Sequence, residues 1–201
     1  MTKRIIIGGL IAGVAMFLWG AVSHMVLNLE ESSIKQISNE TPVLMAMQAS
    51  IKEPGFYFFP GMDETPRVTK EQKAEAEKKW MEKYYASPHG ILIYSSAGEP
   101  FNFAKHLGIQ AICDVLVGLI AAVFLGQVTS LKSYPSRVIL ILLLGLIPFL
   151  AVNLPYWNWY GFPEKYTMIQ LVDKLSRFLV AGLVLAAIIK PAIIASPAAA
   201  P

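Results

Sequence analysis

The chain has 201 residues, of which 55% are hydrophobic and 15% charged, and its mean hydropathy is +0.50. Soluble domains carry roughly 25% charged residues, so this composition excludes a disordered chain and argues against an ordinary soluble enzyme. A net charge of +3 is too small to indicate nucleic acid as a partner, and the single cysteine, Cys113, excludes an intrachain disulfide. We therefore expect a small integral membrane protein.

Four apolar segments are long enough, or nearly so, to cross a hydrocarbon core, which takes about 20 helical residues. They cover approximately 5–27, 106–128, 138–154 and 167–189. The second contains one acid, Asp114, and the fourth carries Asp173, Lys174 and Arg177 in its first half. We predict a mainly α fold, a bundle of four transmembrane helices, with the segment 29–105 inserted between helices 1 and 2.

Lys and Arg in the short flanks set the predicted orientation, because cytoplasmic flanks are enriched in these residues. The flanking cations are Lys3, Arg4, Lys132, Arg137 and Lys190. Four spans place all of them on one side, so we predict cytoplasmic termini, with helix 1 over 1–28, helices 2–4 over 106–190 and a flexible cytoplasmic tail over 191–201. The predicted location is a bacterial inner membrane, with the lipid bilayer as a partner.

The N-terminus has a second interpretation, because Lys3 and Arg4 followed by an apolar run also resemble a secretory signal peptide. The apolar stretch is longer than a typical signal sequence, and Ala21-Val22-Ser23 is a poor cleavage site. Cleavage would leave three helices in the same orientations.

The segment 29–105 holds most of the charged residues and cannot lie in lipid. We predict a small extracytoplasmic α+β domain there. Thr41 followed by Pro42 predicts the start of a short helix that ends near Ile51. The capping-box pattern of Thr69 predicts a second helix, over 70–86.

Two short aromatic or aliphatic runs in the same segment, 56–59 and 91–94, predict β-strands. Strands this short are stable only when they pair and are covered, so we expect the helix over 70–86 to pack on them. The alternative is a solvated helix, rich in Lys and Glu, that only spaces its flanks.

Polar side chains within the spans are the main functional signal, because each ionisable group costs about 2.5–3.5 kcal/mol to insert. In helices 1, 2 and 4 they recur every three or four residues and so share one face. The candidate cluster is His24, Asn28, His106, Gln110, Asp114, Asn153, Gln170, Asp173, Lys174 and Arg177. All lie in the outer half of the predicted spans, so we expect a polar pocket open towards the external domain.

Two interpretations of this cluster stay open. Asp114 and Asp173 balance Lys174 and Arg177, so a neutral set of ion pairs could simply fix helix packing. Alternatively, the two cations bind a small anion or a lipid headgroup while an aspartate accepts a proton. The sequence accordingly predicts an accessory or binding protein, with a membrane enzyme or proton-coupled carrier as the alternative and no assigned catalytic residue.

No cofactor is predicted, because His24 and His106 lie on different helices without the spacing of haem or metal ligands. Gly9 and Gly13 form a GxxxG pair that indicates close helix packing, and a homo-oligomer or a larger membrane complex is the expected assembly. Aromatic residues suited to the membrane–water boundary occur in the predicted loop 155–166. They are Tyr156, Trp157, Trp159 and Tyr160.

Overall fold

The structure, a computed structural model, describes residues 2–62, 66, 69–98 and 100–190. The chain divides into two compact units, one formed by Met1–Lys35 with Asn102–Pro201 and the other by Gln36–Phe101. The second unit is shorter than the predicted domain 29–105, because 30–33 contact the start of the last helix and α4 begins at Phe103. The predicted tail over 191–201 lies outside the described residues.

The described elements follow one another in a mainly helical order. They are α1 (Thr2–Ala21), α2 (Glu40–Ser50), β1 (Gly55–Phe59), α3 (Lys70–Ala86), β2 (Gly90–Tyr94), α4 (Phe103–Gln127), α5 (Tyr134–Leu144), α6 (Leu146–Pro148), α7 (Leu154–Tyr160) and α8 (Glu164–Ile188). A π-helical turn over Val22–Val26 extends α1, and a second one over Phe149–Asn153 joins α6 to α7.

Three helical stretches within the described residues are long and apolar enough to cross a membrane. They are Lys3–Val26, Phe103–Gln127 and Tyr134–Tyr160. The third is longer than the predicted segment 138–154, because the helix continues through Pro148 and the following π-helical turn. The aromatic residues that were expected in a loop therefore lie mainly in α7. The last helix, α8, is long enough to cross a membrane. Its charged residues, however, make it more polar than a typical membrane span.

Helix α1 lies between α4 and α8 and packs against both, and α5 packs against the other side of α8. Contacts between α4 and α5 are sparse, so the four long helices form an open bundle. Met16, Ile141 and Leu185 are the large side chains fully buried in its core. Ala12, Ala121, Ala122 and Ala181 are buried in the same core, as expected where helices associate through small residues.

Glycines bring α1 and α4 into backbone contact. A Cβ atom added to Gly13 would lie 2.4 Å from the Cα atom of Val115, and one added to Gly118 would lie 2.5 Å from the Gly13 nitrogen. The close packing predicted from Gly9 and Gly13 is confirmed, but its partner is α4 of the same chain. An oligomer therefore remains a prediction without support from this glycine pair.

In the unit Gln36–Phe101, β1 and β2 form an antiparallel pair with Gly55 opposite Tyr94 and Phe59 opposite Gly90. Helix α3 packs on this pair through Trp80, whose ring centroid lies 6.4 Å from that of Phe58. The Trp80 Nε1 atom donates a hydrogen bond of 2.9 Å to the Pro60 carbonyl. The helix thus covers the strands, as predicted, and is not a free solvated spacer.

The first turn of α3 is closed by the predicted capping box. The Gln72 backbone N–H donates to the Thr69 hydroxyl at 3.2 Å, and the Thr69 N–H donates to the Gln72 side chain at 3.1 Å. Hydrogen bonds from its own backbone N–H and from Thr69 hold the pKa of the Glu71 carboxyl below its usual range. Glu71 therefore stays ionised at the helix N-terminus, where negative charge is favourable.

The start of α2 differs from the prediction. The helix begins at Glu40 with Asn39 in the N-cap position, so Thr41 lies within the first turn and does not cap it. Pro42 permits this because the first N–H groups of a helix have no intrahelical acceptor, and a missing donor there costs little.

Replacement of Thr69 by Ala is expected to loosen the first turn of α3, because a lost N-cap costs about 1 kcal/mol. Hydrogen exchange followed by mass spectrometry should show faster exchange of the amides of 70–73. Thr41→Ala is the matched control, since Thr41 makes no cap, and it should leave exchange in α2 unchanged. Equal acceleration in both helices would contradict the assigned caps.

Candidate functional site

Arg177 on α8 is the centre of a polar cluster that joins three helices. Its Nε atom donates to Asp173 Oδ1 at 3.3 Å, and Nη1 donates to Asp114 Oδ1 on α4 at 3.2 Å. Its Nη2 atom lies 3.2 Å from His24 Nε2, in the π-helical turn after α1. Every nitrogen of the guanidinium therefore faces an acceptor from this chain, and only 11% of the side chain is exposed. We call these residues and their hydrogen-bonding partners the Arg177 cluster.

Gly20 on α1 makes room for this guanidinium. A Cβ atom at Gly20 would lie 2.7 Å from Arg177 Nη2 and 3.0 Å from Cζ. The guanidinium thus lies flat against the α1 backbone, and any other residue at this position would displace it. This explains why a glycine occurs on the polar face of helix 1.

The two aspartates are buried and hydrogen-bonded on several sides. Asp173 also accepts from the Ser23 hydroxyl at 3.2 Å and from Lys174 Nζ at 3.2 Å. Asp114 accepts from Gln110 Nε2 at 3.1 Å. Among the described residues, no fully buried side-chain nitrogen or oxygen lacks a partner. The structure thus brings Asp114, Asp173, Lys174 and Arg177 together with hydrogen bonds among them.

Glu30 extends the cluster beyond the residues found from sequence. Its Oε1 atom accepts from Tyr166 and from Gln170 Nε2, each at 3.1 Å, and Oε2 lies 3.4 Å from His24 Nδ1. Lys174 Nζ donates to the side-chain oxygen of Gln170, Oε1, at 3.0 Å. With Glu30 the cluster has three carboxylates and two permanent cations, Lys174 and Arg177. The neutral charge expected from sequence counted only the two aspartates as acids, so it leaves out the negative charge of Glu30.

His24 lies between Arg177 and Glu30. Arginine has donors and no acceptor, so His24 Nε2 is the acceptor in the contact of 3.2 Å with Arg177 Nη2. The other ring nitrogen, Nδ1, lies 3.4 Å from Glu30 Oε2.

Three predicted cluster residues have other positions. Asn28 has a left-handed backbone (φ 47°) and is exposed, and Asn153 is half-buried in the second π-helical turn. Among the described side chains, no hydrogen bond links either asparagine to the Arg177 cluster. His106 is exposed on α4, one turn before Gln110.

At the predicted aromatic boundary, the rings of Tyr156 and Tyr160 lie 5.7 Å apart, and Trp157 and Trp159 are exposed.

Metal binding was not expected at this site. In the part of the chain that the structure describes, no three or more His, Cys, Asp or Glu side chains are placed to hold a metal ion. Both ring nitrogens of His24 face side chains of this chain, Arg177 and Glu30.

The unit Gln36–Phe101 contains a groove of about 480 Å³. It is lined by Met62, Lys73, Glu77 and Trp80. A tryptophan and a methionine with one charge of each sign at the rim suit a mixed apolar and polar partner.

In comparisons with known proteins, no family model, curated protein or solved structure matches the chain.

Proposed function

We propose that the protein is a four-span integral protein of a bacterial inner membrane and acts as an accessory or binding protein, without catalysis. Its termini are cytoplasmic, and the segment 29–105 is extracytoplasmic. Helix α8 is the fourth span, since its 25 residues extend about 37 Å, enough for a hydrocarbon core. Asp173, Lys174 and Arg177 are tolerated there because each is paired.

The enclosure of Arg177 supports a structural role for the cluster. Its side chain is 11% exposed, and its three guanidinium nitrogens contact Asp173, Asp114 and His24 of the same chain. Buried polar groups paired in this way hold neighbouring helices in a fixed packing arrangement. The cluster therefore holds α1, α4 and α8 in register, and the binding function belongs to the external unit.

The groove on α3 is the proposed binding surface, and crosslinking in living cells tests it. We expect a photoreactive amino acid at Lys73, which lines the groove, to give a discrete adduct. The same amino acid at Lys78, an exposed residue outside the groove lining, is the control and should give none. Equal crosslinking at both positions, or none at either, would contradict the proposal.

A carrier or enzyme is the second candidate, because part of the cluster is accessible. The side chains of His24 and Lys174 are 39% and 28% exposed, whereas Arg177 and both aspartates are enclosed. An anion would meet Lys174 first. If this candidate is correct, Lys174→Gln folds with unchanged stability and loses binding or transport of that anion.

Cysteine labelling tests the proposed topology. In a Cys113→Ser background, Lys78→Cys should react with a membrane-impermeant maleimide added outside intact spheroplasts. Ser130→Cys, in the exposed connection between α4 and α5, should react only after the membrane is permeabilised. Labelling of Lys78→Cys only after permeabilisation would reverse the orientation.

A further inference from the structure

Arg137, in the first turn of α5, has a mostly buried side chain and no counterion among the described residues. The residue is 4% exposed, and it forms no side-chain hydrogen bond or ion pair with any described residue. No fully buried nitrogen in the described part of the chain lacks a partner. The guanidinium nitrogens therefore reach the surface, while the rest of the side chain is packed inside.

The helix ends around Arg137 contain cations and no acids. Gly126 lies against Ile5, which brings the end of α4 to the start of α1. Likewise Gly8 lies against Ile189, and Gly182 against Val138. The stretches 1–29, 115–163 and 178–190, which include these helix ends, contain no Asp or Glu. Their cations are Lys3, Arg4, Lys132, Arg137 and Lys190.

The nearest acid on α4 cannot serve as the missing counterion. Asp114 precedes Gly126 by twelve residues, which is about 18 Å along the helix, and it is engaged by Arg177. The Arg137 nitrogens reach the surface without a partner among the described residues, so they are available to an anion from outside the chain.

The position of Arg137 on α5 is also favourable to an anion. Arg137 lies in the first turn after the N-cap residue Ser133, where the helix dipole is positive. Arginine also offers a planar pair of donors that fits two oxygens of one phosphate.

We propose that Arg137 and the N-terminus of α5 form a binding site for a phosphate-bearing anion. Under the topology proposed above, the site opens to the cytoplasmic leaflet, where the phosphate of an anionic phospholipid is the nearest source. Free inorganic phosphate has the same recognised group and is the other source. The four remaining cations of this end increase the local concentration of either ligand.

Binding can be measured with the full chain in phosphatidylcholine nanodiscs. Short-chain phosphatidylglycerol is added in one arm and inorganic phosphate in the other, and the midpoint of thermal unfolding is followed with ligand concentration. We expect phosphatidylglycerol to raise the midpoint, and Arg137→Gln to weaken its apparent affinity about tenfold or more. Lys132→Gln, which removes an exposed cation at the same end, is the matched control and should weaken the apparent affinity far less than Arg137→Gln.

The two arms identify the source of the phosphate. Stabilisation by phosphatidylglycerol alone assigns a lipid, and stabilisation by inorganic phosphate through Arg137 assigns the free anion. If Arg137→Gln does not fold, Arg137→Lys replaces it, and we expect a several-fold loss because Lys lacks the paired donors. No stabilisation of the parent in either arm, or unchanged affinity in the Arg137 variant, overturns the proposal. Nanodiscs expose both leaflets, so these outcomes are independent of the topology that cysteine labelling tests.

Discussion

Arg177→Gln is expected to lower the free energy of unfolding by about 3–5 kcal/mol, because it leaves Asp114 and Asp173 as buried carboxylates without their main partner. Chemical or thermal unfolding of the purified protein in a mild detergent measures this change. Lys79→Gln, which breaks an exposed ion pair with Glu75, is the control and should change stability by less than about 1 kcal/mol.

A double-mutant cycle separates pairing from general damage. Asp114→Asn alone leaves part of the Arg177 charge unpaired, so we expect it also to destabilise the protein. The double variant with Arg177→Gln should be more stable than the sum of the two single changes, by about 0.5–3 kcal/mol. Strict additivity would contradict a direct interaction. Full stability of every variant would favour the carrier or enzyme candidate.

Gly118→Ala should be the most damaging of the small substitutions in α4. The new methyl group would lie 2.5 Å from both the Gly13 nitrogen and the Gly9 carbonyl oxygen, so α1 and α4 must separate. Overpacking of this kind costs about 1–3 kcal/mol, and separation of the helices would also lengthen the bond from Arg177 to Asp114.

Gly108→Ala is the matched control on the same helix, because no atom lies within 4 Å of its added Cβ. Alanine is the better helix former, so we expect a neutral effect or a gain of about 0.5–1 kcal/mol. Thermal unfolding of both variants under identical conditions provides the comparison. Similar loss of stability at the two positions would show that α1 and α4 do not pack as described.

Local signals in the sequence were sufficient for α3 and the two strands of the unit Gln36–Phe101. The capping box of Thr69 and Gln72 gave the start of α3, and its end near Ala86 followed from the Pro88-His89-Gly90 break. The two short strands were located by their aromatic and β-branched residues. Each of these signals operates over a few neighbouring residues, which is why the sequence alone could reveal them.

The Arg177 cluster was only partly predictable, because regular helical geometry does not continue to the end of helix 1. Asn28 was placed on the face of His24 by assuming about 100° per residue, the α-helical value. The backbone of Val22–Val26 instead bonds over five residues, with the Leu27 N–H donating to the Val22 carbonyl. Asn153, for which no face was predicted, lies in a similar turn.

Glu30 was missed for a different reason. It follows the apolar stretch of helix 1 and so was assigned to the external segment. The left-handed backbone of Asn28 turns the chain, and Glu30 then meets Tyr166 and Gln170 from α8. Contacts between residues more than 130 positions apart produce no periodic pattern in a single sequence. An acid directly after a span was the one available clue.

The π-helical turn after α1 makes the arrangement sensitive to chain length as well as to side-chain chemistry. Loss of a single residue from Val22–Val26 would restore ordinary helical bonding and rotate the following segment by about 100°. His24 and Glu30 would then face away from α8, although every charged side chain was still encoded. A one-codon deletion in this stretch should therefore resemble the loss of Arg177 more closely than most substitutions in the same five residues.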